Sequence, residues 1–186
     1  MELDDDRIRK LTAYYELLRK WNPSLHLVAP CSPEEFATRH VLESLTLLRH
    51  LPIDANVVDI GSGGGLPIVP CLLVRDDLHA TLIESSAKKA VFLREALRNI
   101  RASGGARIVI ERFEKVAVPE AGFVTSRALE KFAEAIPIII KWAPPGAVFL
   151  LFGGEKLRAE IETRLKSVVV ERLPKSDARF LIIGHA

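Results

Sequence analysis

A chain of 186 residues, 48% of them hydrophobic, is long enough for one domain of about 150 residues with a sizeable core plus an extension. The net charge of +2 neither demands nor excludes a nucleic-acid partner, so the distribution of charge must decide. Two cysteines, Cys31 and Cys71, argue against a disulfide framework, and no apolar run reaches the ~18 residues of a membrane span. No signal peptide opens the chain, so no membrane and a cytoplasmic location are expected.

Met1 to Trp21 reads as an amphipathic helix with Ile8, Leu11, Tyr15 and Leu18 on one face. Asp4, Asp5 and Asp6 suit its positive end, and Trp21-Asn22-Pro23 is expected to stop it. Ser32-Pro33-Glu34-Glu35 has the form of a capping box with proline at the first helical position. The helix or helix pair behind it carries Arg39, His40, Glu43 and Ser44 and ends at Pro52. Residues 1–52 therefore read as a helical extension, too small to stand alone, packed on a main domain of residues 53–186.

Val57 to Ile60 is a short β-branched run and reads as a buried strand. It opens into Gly61-Ser62-Gly63-Gly64-Gly65-Leu66-Pro67, a turn in which missing Cβ atoms let a ligand approach the backbone. A helix is predicted over 66–74, a strand over 80–84, a helix over 87–100 with Val91, Leu93, Ala96, Leu97 and Ile100 inward, and a strand over 107–110. A fourth strand follows at 122–126, a helix at 130–142 bent at Pro137, a fifth strand at 147–152 and a helix at 155–166. Two closing strands, 168–173 and 179–183, form a hairpin. This alternation predicts an α/β, doubly wound, mostly parallel sheet with one antiparallel strand.

Such a sheet binds ligands outside the carboxyl ends of its strands. The glycine spacing narrows the ligand. A dinucleotide fingerprint needs a third glycine where Leu66 stands, and no Lys-Ser or Lys-Thr follows to make a P-loop. Gly61-x-Gly63-x-Gly65 preceded by Asp59 looks like the first motif of the Rossmann-like S-adenosylmethionine-dependent methyltransferases. Glu84 ends the second strand, 23 positions after Gly61, where such folds bind a ribose diol; the alternative is a solvated acid at a strand end. Phe113 and Glu114 follow the third strand, as an adenine wall or, for Phe113, as ordinary core. Ser126-Arg127 follows the fourth strand and faces the middle of the crevice; Arg127 is a contact to phosphate, base or cofactor carboxylate, or a plain salt bridge. Arg94, Arg98 and Arg101 share a helix face, either solvated or tracking phosphates. His40 is a surface or core histidine, or one that points to the crevice. The five histidines and two cysteines show no metal-ligand spacing, so no metal is expected. A small-molecule methyltransferase, a dinucleotide-dependent oxidoreductase and a non-enzymatic RNA-binding module stay open as alternatives.

From Trp21 to Gly153 the chain resembles one family, the bacterial small-subunit ribosomal RNA methyltransferase G, also called glucose-inhibited division protein B. The resemblance rests on Trp21-Asn22, Pro33-Glu34-Glu35, Arg39-His40 with Ser44, Asp59 to Pro67, Lys88, Phe92-Leu93-Arg94 and Ser126-Arg127-Ala128. It implies a class I methyltransferase fold, S-adenosyl-L-methionine as cofactor, and transfer of methyl to N7 of a guanine in small-subunit (16S) rRNA. The partner would be that RNA or a ribosomal subunit precursor, met by a monomer. By resemblance, Gly61, Leu66, Phe113, Glu114 and Arg127 occupy cofactor-contacting positions, joined by Gly63 and Glu84 from the reading above; Arg127 is also the candidate catalytic residue. The chain departs from the family pattern at His26, Val28, Ile68 and Phe152.

Overall fold

The computed structural model describes residues 3–99, 105–127 and 132–185. Seven strands, β1 (Asn56–Ile60), β2 (His79–Ile83), β3 (Ala106–Val109), β4 (Phe123–Arg127), β5 (Val148–Gly153), β6 (Lys166–Arg172) and β7 (Phe180–His185), form one sheet in the order β3-β2-β1-β4-β5-β7-β6. β1 to β5 run parallel, and β7 lies antiparallel between β5 and β6. The strand order reverses between β1 and β4, so a crevice opens there at the carboxyl ends.

Alternate residues of the strands feed two cores. Val57, Leu82 and Leu150 face α4 (Ile68–Val74), α5 (Ala87–Asn99) and the N-terminal helices; Val58, Ile83 and Leu151 face α6 (Phe132–Trp142) and α7 (Glu155–Glu162). The strands are buried on both faces, as parallel strands covered by helices must be.

The first helix, α1 (Asp5–Leu25), begins at an Asp4 cap and runs through Pro23 rather than stopping at it. Pro23 falls in the last turn, where few hydrogen bonds remain to lose, and His26 closes the helix in the left-handed conformation with its N–H on the Asn22 carbonyl. The buried face is Leu11, Tyr14 and Leu18, while Ile8 is exposed and Tyr15 half-buried. Tyr14 takes the inward place because its hydroxyl donates to the Gly64 carbonyl, so the ring is buried with its polar end satisfied. Each apolar side chain buried this way stabilises by about 1.5–3 kcal/mol. The next segment starts at the Ser32 capping box of α2 (Pro33–Glu35), passes through a π-helical stretch (Phe36–Leu42), α3 (Glu43–Leu45) and a 3-10 turn (Thr46–Arg49). Phe36 and Leu47 join the same core as α4 and α5.

Other boundaries move by one to four residues. On α5 the inward set is Phe92, Leu93 and Ala96, with Val91 exposed; Ile100 lies outside the described residues. Among the described residues no helix is long and apolar enough to cross a membrane.

Candidate active site at the glycine loop

The turn after β1 is held from below. The N–H groups of Gly61 and Ser62 both donate to the Ile83 carbonyl, at 2.9 and 3.1 Å, and Ser126 Oγ donates to the Ile60 carbonyl at 2.8 Å, across the point where β1 and β4 part. Gly61, Gly63 and Gly65 have φ of 70°, 52° and 85°, a region side chains resist. A Cβ on Gly65 would lie 2.5 Å from Val69 Cγ2, so the loop must pack this closely on α4. A Cβ on Gly63 would meet nothing nearer than the Gly61 carbonyl at 3.7 Å, leaving this backbone open to a ligand.

Glu84 is buried, not solvated. Its carboxylate accepts the Gly63 N–H at 2.8 Å and the Ser86 N–H at 2.7 Å, so it braces the glycine loop against the start of α5. Each oxygen keeps a further lone pair for a donor such as a ribose hydroxyl.

Two clefts of about 640 Å³ each share Gly61, Gly63 and Lys89. The first holds Glu84, Phe113 and Glu114, with Ile83, Ala135 and Ile138 as apolar wall. Its charged lining is Glu84, Glu111, Glu114 and Glu134 against Lys89 and Arg112. Glu114 is exposed and accepts from Arg112 at 3.1 Å, which holds its carboxyl below the usual range. Phe113 packs edge-on against Trp142 at 5.7 Å, so it is part core and part cleft wall.

The second cleft holds Leu66 and Arg127, and its charged lining is Arg39, Lys89, Arg127 and Arg179 against Glu43 alone. One wall is the loop from His26 to Pro30, clipped to α1 by Asn22, whose side chain donates to the Val28 carbonyl and accepts the Val28 N–H, both at 3.0 Å. Arg127 donates through Nη2 to Glu43 Oε2 and to the Arg39 carbonyl, both at 2.8 Å, and its guanidinium stands over the Phe152 ring. Arg127 is therefore both an ion-pair partner and a cleft residue. His40 is buried against Phe36 and lines the same cleft. Burial, with Arg127, Arg39 and Arg179 adding, pushes its pKa down to about 4, so the ring is neutral at physiological pH.

A match to the family model for rRNA small subunit methyltransferase G spans residues 7–183. A ribosomal RNA small subunit methyltransferase G from Xanthomonas campestris is 39% identical over 86% of this chain and 74% of its own length. One from Neisseria meningitidis is 32% identical over 95% and 85%. The chain belongs to the rRNA small subunit methyltransferase G family. It is an S-adenosylmethionine-dependent rRNA methyltransferase. Solved structures carry the fold: a predicted O-methyltransferase from Agrobacterium tumefaciens superposes with a TM-score of 0.63 at 18% identity over 78% of this chain and 80% of its own. An Aquifex aeolicus methyltransferase gives 0.62 at 12% identity over 92% and 97%.

The donor set of this family member fits its cofactor: open backbone at Gly63, a buried carboxylate at Glu84, and an Arg127 Nη1 that is buried without a partner among the described residues. The clefts bring Gly61, Gly63, Glu84, Phe113 and Glu114 to one side of the loop, and Leu66 and Arg127 to the other. Arg94 and Arg98 are exposed on α5, line neither cleft, and Arg101 lies outside the described residues. Sequence reasoning missed Arg179 and gave Glu43 no role. Glu43 lies 136 positions before Arg179, and no local pattern links them. Asp59 is fully buried beneath the loop, neither carboxylate oxygen has a partner among the described residues, and burial, opposed by the Ser62 hydroxyl and helped by Glu84, pushes its pKa up to about 7. Among the described residues no group of histidine, cysteine and acid could hold a metal ion.

Proposed function

We propose that this chain methylates N7 of a guanine in 16S rRNA, acting as a cytoplasmic monomer on the RNA or a ribosomal subunit precursor. The observation that carries this reading is the opposite charge of the two clefts that meet at Gly61 and Gly63. S-adenosylmethionine carries a sulfonium and an ammonium against one carboxylate, and RNA is a polyanion. The acidic cleft suits the hydroxyl donors of the cofactor's ribose and its sulfonium, and the basic cleft suits the cofactor's carboxylate and the RNA.

In this reading Gly61 and Gly63 give the cofactor their open backbone, Glu84 accepts from its ribose, and Phe113 and Glu114 flank its adenine. Leu66 and Arg127 stand at its amino-acid end, where Arg127 also positions the reactants. Residues 1–52 serve as an extension that completes the basic cleft, and residues 53–186 as the methyltransferase domain. The cofactor supplies a methyl group on a positively charged sulfur. Guanine N7 presents an in-plane lone pair and no hydrogen, so the chain needs no general base. The neutral, buried His40 is consistent with that. The residues' task is to hold nucleophile and methyl in line, which by itself supplies several kcal/mol of rate enhancement, up to about 7–11.

Calorimetry with S-adenosylmethionine, followed by mass mapping of small subunits that lack the modification, tests the proposal. The expected result is cofactor binding and one methylguanine with a methylated imidazole ring. Methyl on another base, or on a small molecule only, would overturn it.

A further inference from the structure

We propose that Arg179 is a positioning residue, whose hold on one oxygen of Glu43 keeps a prong of Arg127 free for an anionic oxygen of the bound reactants. This rests on the place given to Arg127 above. A guanidinium facing a carboxylate frequently closes two parallel N–H groups onto both oxygens. Arg127 does not. Its Nη2 reaches Glu43 Oε2 at 2.8 Å, while Glu43 Oε1 accepts Nε and Nη2 of Arg179 at 3.0 and 2.6 Å. The same Arg127 Nη2 donates to the Arg39 carbonyl, so one nitrogen does the anchoring. Nη1 is buried and has no partner among the described residues.

Glu43 is fully buried, and two guanidiniums converge on its single charge. The cluster thus keeps an excess positive charge and an unused donor beside the cleft. A cluster built only for stability would satisfy that donor, because a buried unpaired N–H of a charged group is costly. Without Arg179, Oε1 becomes vacant and Arg127 can rotate to a two-pronged pair, which consumes Nη1. The anionic oxygen belongs either to the carboxylate of the cofactor's amino-acid end or to an RNA phosphate.

The test uses the full chain with Arg179→Gln, Arg179→Lys, and Arg179→Gln combined with Glu43→Gln. Binding of S-adenosylhomocysteine and of 5′-methylthioadenosine, which lacks the amino-acid end, is measured by calorimetry. KM and kcat are measured on unmethylated small subunits, and melting on every variant. If the oxygen is the carboxylate, Arg179→Gln weakens S-adenosylhomocysteine about tenfold and leaves methylthioadenosine unchanged. If it is a phosphate, both affinities hold and KM for subunits rises about tenfold. Arg179→Lys keeps a charge on Oε1 and retains most of the affinity. The double variant recovers it too, because a neutral amide in place of the Glu43 carboxylate no longer captures Arg127; it also carries the test should Arg179→Gln fail to fold. The proposal is overturned if Arg179→Gln changes none of these values, or if the double variant is as weak as the single one or weaker. The wild-type chain separates the two readings: no methyl transfer to subunits defeats the proposed function, while the role of Arg179 falls only on the variants.

Discussion

The two clefts beside the glycine loop are built from the same three shared residues and differ in sign. The acidic one is made by strand ends: Glu84 after β2, Glu111 and Glu114 after β3. The basic one borrows its charge from distant segments, Arg39 before α3 and Arg179 before β7, which reach it by packing. The sheet alone supplies a generic pocket for a small cation; the N-terminal helices and the closing hairpin add the side that suits a polyanion. Division of labour between a common scaffold and a grafted surface is how one fold serves many acceptors.

Gly63 lines both clefts, so its loss should damage both. Gly63→Val places a branched side chain in the open space at a left-handed position and costs about 1–2 kcal/mol of backbone strain. Cofactor binding should fall at least about a hundredfold, a loss of ~2.7 kcal/mol or more, in a protein that still folds. Unchanged affinity by calorimetry would place the cofactor elsewhere.

Glu84 itself lines only the acidic cleft. Glu84→Ala removes the ribose acceptor and the brace on the Gly63 N–H, and should weaken cofactor binding by about 1–3 kcal/mol. KM for ribosomal subunits at saturating cofactor should stay the same. A matching rise in that KM would show that the clefts do not act separately.

Arg39→Ala touches the basic cleft alone. Arg39 is exposed, so its removal should weaken RNA binding a few-fold and flatten the salt dependence by about one unit of slope. An equal effect on S-adenosylmethionine binding would merge the two sites into one.

Asp59, under the loop and outside both clefts, should affect stability and its pH dependence, with binding the least changed. Its folded pKa of about 7 lies above the 3.8 of the free side chain, so between those values the folded state binds the extra proton. Stability from this group is therefore fully present below about pH 3.8 and is lost progressively as pH rises from there through about 7. Asp59→Asn should raise the melting temperature most at pH 8, less at pH 5, and least below about pH 4. A larger gain at pH 5 would mean that Asp59 has a partner when charged.

Much of the acidic cleft was legible because it is local. Glycine spacing, the Glu84 offset and the residues after each strand follow from strand-turn-helix geometry. The mostly parallel sheet with its antiparallel strand followed from the alternation of elements. The basic cleft was legible only in Arg127 and Leu66. Glu43 and Arg179 meet through tertiary packing, which no periodicity encodes. The inward face of α1 was misplaced for a similar reason. Tyr14 and Tyr15 are equally apolar in a pattern, and the Gly64 carbonyl, 50 positions away, selects Tyr14. Pro23 did not end the helix at once: it forgoes its own bond to the preceding turn, and the chain runs two residues further before the His26 cap.

The Glu43 cluster also has a meaning in time. A chain grows from its N-terminus at about 5–20 residues per second, and Arg179 follows Glu43 by 136 positions. On the order of 10 s therefore separates the synthesis of this carboxylate from that of its second counter-charge. Until then Glu43 cannot be buried with both partners. Its pairing with Arg179 waits for that residue, which makes closure of the basic cleft late relative to the synthesis of the N-terminal helices.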